Sequence, residues 1–210
     1  MQIKSSITFK QTINRSEFIC LLHRCFTIEQ AKAYVNQAKI DYPQATHYCY
    51  AYLLDHHQFS KSNDDGEPAG TAGSPILQTL LKNDVDNIIA IVIRYFGGIK
   101  LGAGGLIRAY GSSCALALQQ AILTTFQTVH CYQVTIDYDA IGKINHIVDS
   151  YGMTIEDTQY NDQVSYTITT SLNDATTIFK DGLSNQCMIQ PLDDRYIEVE
   201  ISRENGQAIA

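Results

Sequence analysis

Apolar and polar residues alternate in three short stretches near the start of the chain, and this alternation predicts β-strands. Alternating positions place every second side chain on one face of an extended segment, and these stretches are rich in β-branched and aromatic residues. They comprise residues 3–9, 17–22 and 46–54. Residues 88–94 are instead apolar at almost every position. This run predicts a central strand in a sheet that helices cover on both faces.

Apolar residues at helical spacing predict three helices in the same part of the chain. Thr27 followed by Gln30 is typical of a helix start, and Pro43 ends that pattern. Ser74 as N-cap, with Pro75 in the first turn, predicts a short second helix. The spacing predicts a third helix over residues 106–123.

From residue 131 onward the same kinds of pattern return in a different order. The predicted strands are 132–138, 153–159, 164–170 and 196–201, and the predicted helices are 140–151 and 174–183. This order, βαββαβ, is that of the ferredoxin-like fold. A chain of 210 residues also exceeds the usual domain size of roughly 100 to 150 residues. We therefore predict an α+β protein with two domains, residues 1–130 and residues 131–210.

Charge is divided unevenly between these two parts. The chain has a formal net charge of −7. Residues 1–130 hold 11 Lys and Arg against 9 Asp and Glu, whereas residues 131–210 hold 4 against 13. The net charges are therefore +2 and −9. Since polyanions bind cationic surfaces, we expect any phosphate-bearing partner to meet the first domain.

Composition favours an ordinary globular protein, because 45% of the residues are hydrophobic and 18% are charged. The N-terminus lacks the apolar core of a signal peptide, and the longest apolar run is too short to span a bilayer. We expect a cytoplasmic protein with no membrane partner. The six cysteines form no C-x-x-C pair, so we expect buried, reduced thiols and no metal site.

Two glycine-rich stretches, residues 64–73 and 95–105, lie in the first domain. The second stretch joins the buried strand to a helix, where free backbone N–H groups and nearby cations favour a bound anion. It matches neither a Walker A loop nor the G-x-G-x-x-G pattern. Close packing of backbone on backbone explains the same glycines equally well. The candidate anion- or nucleic-acid-binding residues are Arg94, Gly97, Gly98, Lys100, Gly102, Gly104, Gly105 and Arg108.

Three carboxylates, Asp64, Asp65 and Glu67, form an acidic loop within the first glycine-rich stretch. Such a loop suits a metal ion, acid–base chemistry or a solvated turn. We favour ion pairing with the nearby Arg and Lys residues, because neutralisation stabilises a glycine-rich loop. No known catalytic motif is present, so the sequence predicts no catalytic residue and no cofactor.

Tyr48, Tyr50 and Tyr52 alternate on the third predicted strand, opposite His47 and Cys49. Tyrosines on an open sheet stack bases in proteins that bind single-stranded nucleic acid. A sheet partly covered by a helix uses the same residues for packing. We favour the structural interpretation of the tyrosines and treat His47 as a core residue.

Several segments of the first domain resemble the IMPACT family, in particular its bacterial two-domain branch typified by YigZ. The most specific are SKSNDDGEPAGTAGSPIL at residues 60–77 and VIRYFGGIKLGAGGLIRAYG at residues 92–111. Weaker matches are RSEFI at residues 15–19 and HYCYAY at residues 47–52. The second domain resembles the family in position, length and strand order.

The resemblance implies a first domain folded like domain 2 of ribosomal protein S5, an α/β sandwich. It implies a ferredoxin-like second domain similar to the last domain of elongation factor G. Eukaryotic relatives of the first domain restrain a translation-control kinase by competing for its ribosome-bound activator. Such a role requires a binding surface and no catalysis.

We therefore expect a non-enzymatic, translation-linked regulator that binds RNA or a ribosome-associated protein through its glycine-rich basic face. Arg94, Lys100 and Arg108 converge in one exposed hollow in this hypothesis and contact phosphate or carboxylate. Two alternatives stay open. One is an enzyme acting on a phosphorylated small molecule or nucleotide, in which a carboxylate of the acidic loop holds a divalent ion. The other is a pure protein-interaction module.

Overall fold

The computed structural model describes residues 1–201 and divides the chain into two compact units. The first unit is Met1–Thr125 together with the chain from Glu200, and the second is Phe126–Val199. Each unit combines helices with an antiparallel sheet, so the predicted two-domain α+β class is confirmed. No helix among residues 1–201 is long and apolar enough to cross a membrane.

The first unit is built around a five-stranded sheet. Its elements are β1 (Gln2–Ile3), β2 (Ile7–Ile13), β3 (Ser16–Arg24), α1 (Ile28–Asp41), β4 (His47–Leu54), β5 (Phe59–Asn63), α2 (Gly73–Lys82), β6 (Ile88–Tyr95) and α3 (Gly102–Gln120). The sheet has the order β2-β3-β6-β4-β5, and every neighbouring pair is antiparallel. Strand β6 is therefore its centre, as the continuous apolar run predicts.

Helices cover both faces of this sheet and divide the core into two layers. Ile89, Ile91 and Ile93 of β6 pack with α1, whereas Ile88 and the alternate positions pack with α2 and α3. Because successive side chains of a strand point to opposite faces, both sets of positions must be apolar. This arrangement explains why the central strand shows no alternation in sequence.

Helix α1 begins as predicted, since the Thr27 hydroxyl accepts a hydrogen bond from the Gln30 N–H. Helix α2 does not. It begins at Gly73, its N-cap is Ala72, and Ser74 lies inside the first turn, so the predicted N-cap is wrong. The Asp64 carboxylate accepts the N–H groups of Ala72 and Gly73 at 3.0 and 2.8 Å. A side chain distant in sequence therefore satisfies the donors that a local cap would satisfy.

Other predicted boundaries in the first unit also differ. The stretch predicted as one strand over residues 3–9 forms two strands, because β1 pairs with residues 123–124 and β2 pairs with β3. The predicted third helix ends at Gln120, and Leu123 already begins the next strand. Strand β5 was not predicted, since its residues are mostly exposed and show no apolar alternation.

The second unit has the order βαββαβ, which confirms the predicted ferredoxin-like arrangement. Its elements are β7 (Leu123–Ile136, whose first residues belong to the first unit), a 3₁₀ turn (Tyr138–Ala140), α4 (Ile141–Tyr151), β8 (Thr154–Tyr160), β9 (Val164–Thr170), α5 (Ala175–Gly182) and β10 (Met188–Glu200). Strand β7 pairs with β9 and β10, and β9 pairs with β8. Strands β7 and β10 begin nine and eight residues earlier than the predicted starts at 132 and 196.

Candidate binding site at the glycine-rich face

Arg94 occupies the end of the central strand, where β6 runs into the glycine-rich stretch. It is paired in register with Phe18 of β3 and His47 of β4. Paired residues of antiparallel strands share a face, so these three side chains lie side by side on the face that α3 covers. Only 5% of the Arg94 side chain is exposed.

The Arg94 guanidinium is half of a buried ion pair. Its Nη1 lies 2.6 Å from Oε1 of Glu67, whose side chain is 4% exposed, and its Nη2 lies 3.3 Å from the Ser16 hydroxyl. The Phe18 and Phe96 ring centroids lie 5.5 and 5.3 Å from the guanidinium carbon. Arg94, predicted to contact the phosphate or carboxylate of a partner, therefore already contacts the carboxylate of Glu67 within the protein. Within residues 1–201, the buried Nε of Arg94 has no hydrogen-bond partner.

Tyr110 and His47 complete the surroundings of the Glu67 carboxylate. The Tyr110 hydroxyl donates to Oε1 at 2.8 Å. Burial, with Cys49 and Glu67 close by, raises the pKa of Tyr110, so the phenol keeps its proton. The Nδ1 of His47 lies 2.8 Å from the Asp65 carbonyl, so it carries the hydrogen. The other ring nitrogen, Nε2, faces Glu67 at 3.9 Å.

The acidic loop is held by backbone groups as well as by charge. Asp64 accepts N–H groups from Gly70, Ala72 and Gly73, and Asp65 accepts the Tyr48 N–H at 2.7 Å. The predicted ion pairing with a basic residue thus holds for Glu67 and is wrong for Asp64. Burial alone raises the pKa of Asp64, but its three N–H donors outweigh that effect and lower it.

These three carboxylates do not form a metal centre. Each already accepts hydrogen bonds from different groups, and Glu67 faces a guanidinium. No group of three or more His, Cys, Asp or Glu residues within the described chain is arranged to hold a metal ion. The acidic loop of the described chain therefore offers no preformed cluster of metal ligands.

A cavity of about 430 Å³ opens between the start of α3 and the Arg94–Glu67 pair. We call it the glycine-rich cavity, and its lining residues are Thr46, His47, Glu67, Pro68, Arg94, Phe96, Lys100, Leu101, Gly102, Ala103 and Leu106. Helix α3 has no side-chain N-cap and no acidic residue in its first turn. Its N–H groups at Gly102 and Ala103 therefore add to the positive potential at the cavity.

The predicted basic face is only partly assembled. Arg94 and Lys100 line the glycine-rich cavity, but Arg108 does not. Arg108 lines a neighbouring cavity of about 410 Å³ against Asn14, at the turn between β2 and β3. The expectation that all three cations meet in one hollow is therefore wrong. Of the three, Lys100 is the exposed cation at the glycine-rich cavity.

The glycines have different roles. A Cβ atom on Gly97 would lie 1.9 Å from the Arg15 carbonyl oxygen, so this glycine allows the turn between β2 and β3 to touch the backbone. Gly98 and Gly102 have φ of +85° and +68°, a conformation that side chains disfavour. Gly104 and Gly105 lie in the first turn of α3. Backbone packing thus accounts for Gly97, and chain conformation for Gly98 and Gly102.

Sequence reasoning missed several members of this site. His47 was treated as a core residue, yet it lines the glycine-rich cavity, and its strand position beside Arg94 was the available signal. Ser16 and Tyr110 hold the ion pair, but no local motif marks them, since they are 78 and 16 residues from Arg94 in the chain.

Comparisons with known proteins agree with these two units. A family model described as the Impact N-terminal domain matches residues 14–118, and a domain of unknown function, DUF1949, matches residues 134–178. The IMPACT family member YvyE of Bacillus subtilis is 37% identical over 165 residues, 78% of this chain and 76% of that protein. YigZ of Escherichia coli is 44% identical over 122 residues, 57% of this chain and 59% of that protein. The crystal structure of a hypothetical protein aligns with a TM-score of 0.56 at 30% identity, covering 91% of this chain and 96% of that one.

Proposed function

The chain belongs to the IMPACT family, and we propose that it is a non-enzymatic, translation-linked regulator that binds a ribosome-associated protein through the glycine-rich cavity. The link to translation follows from the family resemblance. The observation that carries the binding role is the cavity itself, which combines apolar walls with an exposed cation and an uncapped helix start.

The walls of the glycine-rich cavity suit an apolar side chain of a protein partner. Phe96, Leu101 and Leu106 lie on its sides, and Phe96 is 46% exposed. Aromatic and aliphatic pockets of this kind hold the anchor residues of protein interfaces. Lys100 and the N-terminus of α3 stabilise a carboxylate beside such an anchor. The occupant we infer is an apolar residue with an acidic neighbour.

RNA is less well matched to this cavity, although it was an equal candidate from the sequence. Binding of a phosphate backbone depends on several cations, each of which neutralises one phosphate. Glu67 neutralises Arg94, and Arg108 lines a different cavity, which leaves Lys100 as the exposed cation. This charge distribution favours a protein partner over RNA.

The enzyme alternative receives less support from the same residues. It depends on a carboxylate of Asp64, Asp65 or Glu67 that is free to hold a divalent ion. Each of these carboxylates is engaged by backbone N–H groups or by a guanidinium. The arrangement stabilises a rigid loop, which suits a binding surface.

Co-sedimentation with purified ribosomes tests the proposal. Lys100→Glu reverses the charge at the cavity mouth, whereas Lys82→Glu makes the same change at the exposed end of α2. We expect the unaltered protein and the Lys82→Glu variant to sediment with ribosomes, and Lys100→Glu to lose at least tenfold in affinity, about 1.4 kcal/mol.

Limited nuclease treatment separates the two partner classes. Binding that survives digestion of exposed RNA supports a protein partner, and binding that disappears with it supports RNA instead. Equal sedimentation of Lys100→Glu and Lys82→Glu contradicts the assignment to the glycine-rich cavity.

A further inference from the structure

A second groove lies on the opposite face of the first unit's sheet, and nothing in the proposed function uses it. Among the described residues of the first unit, α1 is the helix that packs on this face. Five strands at about 4.8 Å spacing span roughly 19 Å, whereas a helix is about 10 Å wide. One helix therefore leaves part of the sheet uncovered. A groove of about 390 Å³ runs along α1 beside β4 and β5.

This α1 groove is lined by one stripe of the helix and by the facing strands. Its lining residues are Ile28, Ala31, Lys32, Val35, Asn36, Lys39, Tyr50, Tyr52, Lys61, Asn63 and Asp65. Lys32 and Lys39 lie two helical turns apart, about 10 Å along the axis. Lys61 faces them from β5, where it is paired with Tyr52, and Asn63 is paired with Tyr50.

The three lysines give the α1 groove a positive charge. All three are exposed, and none lies within ion-pair distance of a carboxylate among residues 1–201. Lys39 lies over the Tyr48 ring, 5.6 Å from its centroid. The single carboxylate in the lining, Asp65, already accepts the Tyr48 N–H. The α1 groove is therefore locally positive, although the chain as a whole has a net charge of −7.

Tyr50 supplies the second feature of the α1 groove. Its side chain is half-buried on the groove wall. The amides of Asn36 and Asn63 lie in the same lining. A ring, side-chain amides and surrounding ammonium groups together match a nucleotide, because bases stack on aromatic rings and phosphates pair with lysines.

We propose that the α1 groove binds a segment of single-stranded RNA. A base stacks on Tyr50, the asparagine amides contact base edges, and Lys32, Lys39 and Lys61 bind the flanking phosphates. The inference does not rest on the proposed function, since the groove and the glycine-rich cavity share no residue. A protein that used both surfaces would hold a protein segment on one face of the sheet and RNA on the other.

Fluorescence anisotropy with a labelled, unstructured RNA of about twelve nucleotides tests the α1 groove. Three bound phosphates predict a slope of about −2 for log K against log salt concentration. In Lys32→Gln/Lys39→Gln, that slope is expected to shrink by about 1.4. The matched control, Lys82→Gln/Lys143→Gln, removes two exposed lysines elsewhere and should keep the full slope.

Stacking is tested separately at Tyr50. Tyr50→Ala is expected to weaken RNA binding by about 5- to 150-fold, and Tyr50→Phe to preserve it, because the ring carries the stacking. If Tyr50→Ala fails to fold, the variants of the exposed lysines still test RNA binding at the α1 groove. The lack of RNA binding by the unaltered protein at low salt overturns the inference, as does equal binding by the groove and control variants. Unchanged RNA binding by Lys100→Glu shows that the two surfaces act separately.

Discussion

The buried Glu67–Arg94 pair is the feature whose removal has the most calculable effect. In Glu67→Gln the side chain keeps its size, and the Tyr110 hydroxyl still has an oxygen to which it can donate. Arg94, however, loses the negative charge 2.6 Å from its Nη1, in a site where only 5% of the side chain is exposed. Arg94 then remains as an uncompensated buried cation.

Breaking one partner of a buried pair costs about 3–5 kcal/mol. Since domains are stable by only about 5–15 kcal/mol, this loss is a large share of the stability of the first unit. For a domain of this size it lowers the melting temperature by on the order of 10–20 °C. The double variant Glu67→Gln/Arg94→Met removes both charges. We expect its loss of stability to be smaller than the sum of the two single losses by at least about 1 kcal/mol, within the roughly 0.5–3 kcal/mol typical of coupled neighbours.

Urea unfolding followed by far-UV circular dichroism and tyrosine fluorescence measures these differences, since the chain has 13 Tyr and no Trp. Glu17→Gln is the control, because Glu17 and Lys10 form an exposed pair at 3.9 Å. Exposed pairs of this kind contribute only about 0–1 kcal/mol. If Glu67→Gln costs no more than Glu17→Gln, or if the double variant shows strictly additive losses, the buried pair does not stabilise the site as described.

Three further predictions concern backbone packing, acid stability and thiol reactivity. Gly97→Ala should destabilise the first unit by several kcal/mol in urea unfolding, whereas Gly104→Ala, whose added Cβ meets only an Arg108 side-chain nitrogen at 3.6 Å, should stabilise α3 by about 0.5–1 kcal/mol. Because folding lowers the pKa of Asp64, its carboxylate stabilises the folded state above pH ~4, and this stabilisation is lost as the pH falls further. In Asp64→Asn, the free energy of unfolding should therefore depend less on pH below pH ~4. In native thiol labelling, the partly exposed Cys187 should react before the buried Cys49, whose pKa burial raises to about 12.

Elements with clear periodicity were predictable because burial imposes the pattern. Strand β6 is apolar from Ile88 to Ile93 because helices cover both of its faces. Strand β9, Val164–Thr170, matched its predicted range because it pairs on both sides. Strand β10 begins at Met188, well before the predicted start, because its residues are almost all exposed and carry no apolar alternation. The bounds of an exposed strand depend on its backbone pairing with a neighbouring strand, and no local pattern in the sequence predicts that pairing.

The site was predictable in composition but not in geometry. Residue types alone identified the glycine-rich stretches and predicted that the acidic loop pairs with nearby basic residues, but they did not single out Glu67 and Arg94 as the partners. The position of Arg108 was not predicted. Arg108 follows Gly102 by six residues of helix, which turn its side chain by about 240° net relative to the side of α3 that Gly102 occupies. The capping role of Asp64 was also missed, because its acceptors reach donors up to nine residues further along the chain.

Site-specific photocrosslinking at position 96 tests the central claim most directly. Phe96 is half-exposed at the glycine-rich cavity, so a photoreactive phenylalanine analogue there lies where the partner's anchor residue is expected. The same analogue at Phe59, an equally exposed position on β5, is the control. We predict a nuclease-resistant crosslink from position 96 to a protein of the translation apparatus, lost in Lys100→Glu and not formed from position 59. A crosslink to RNA alone, or identical products from both positions, contradicts the account.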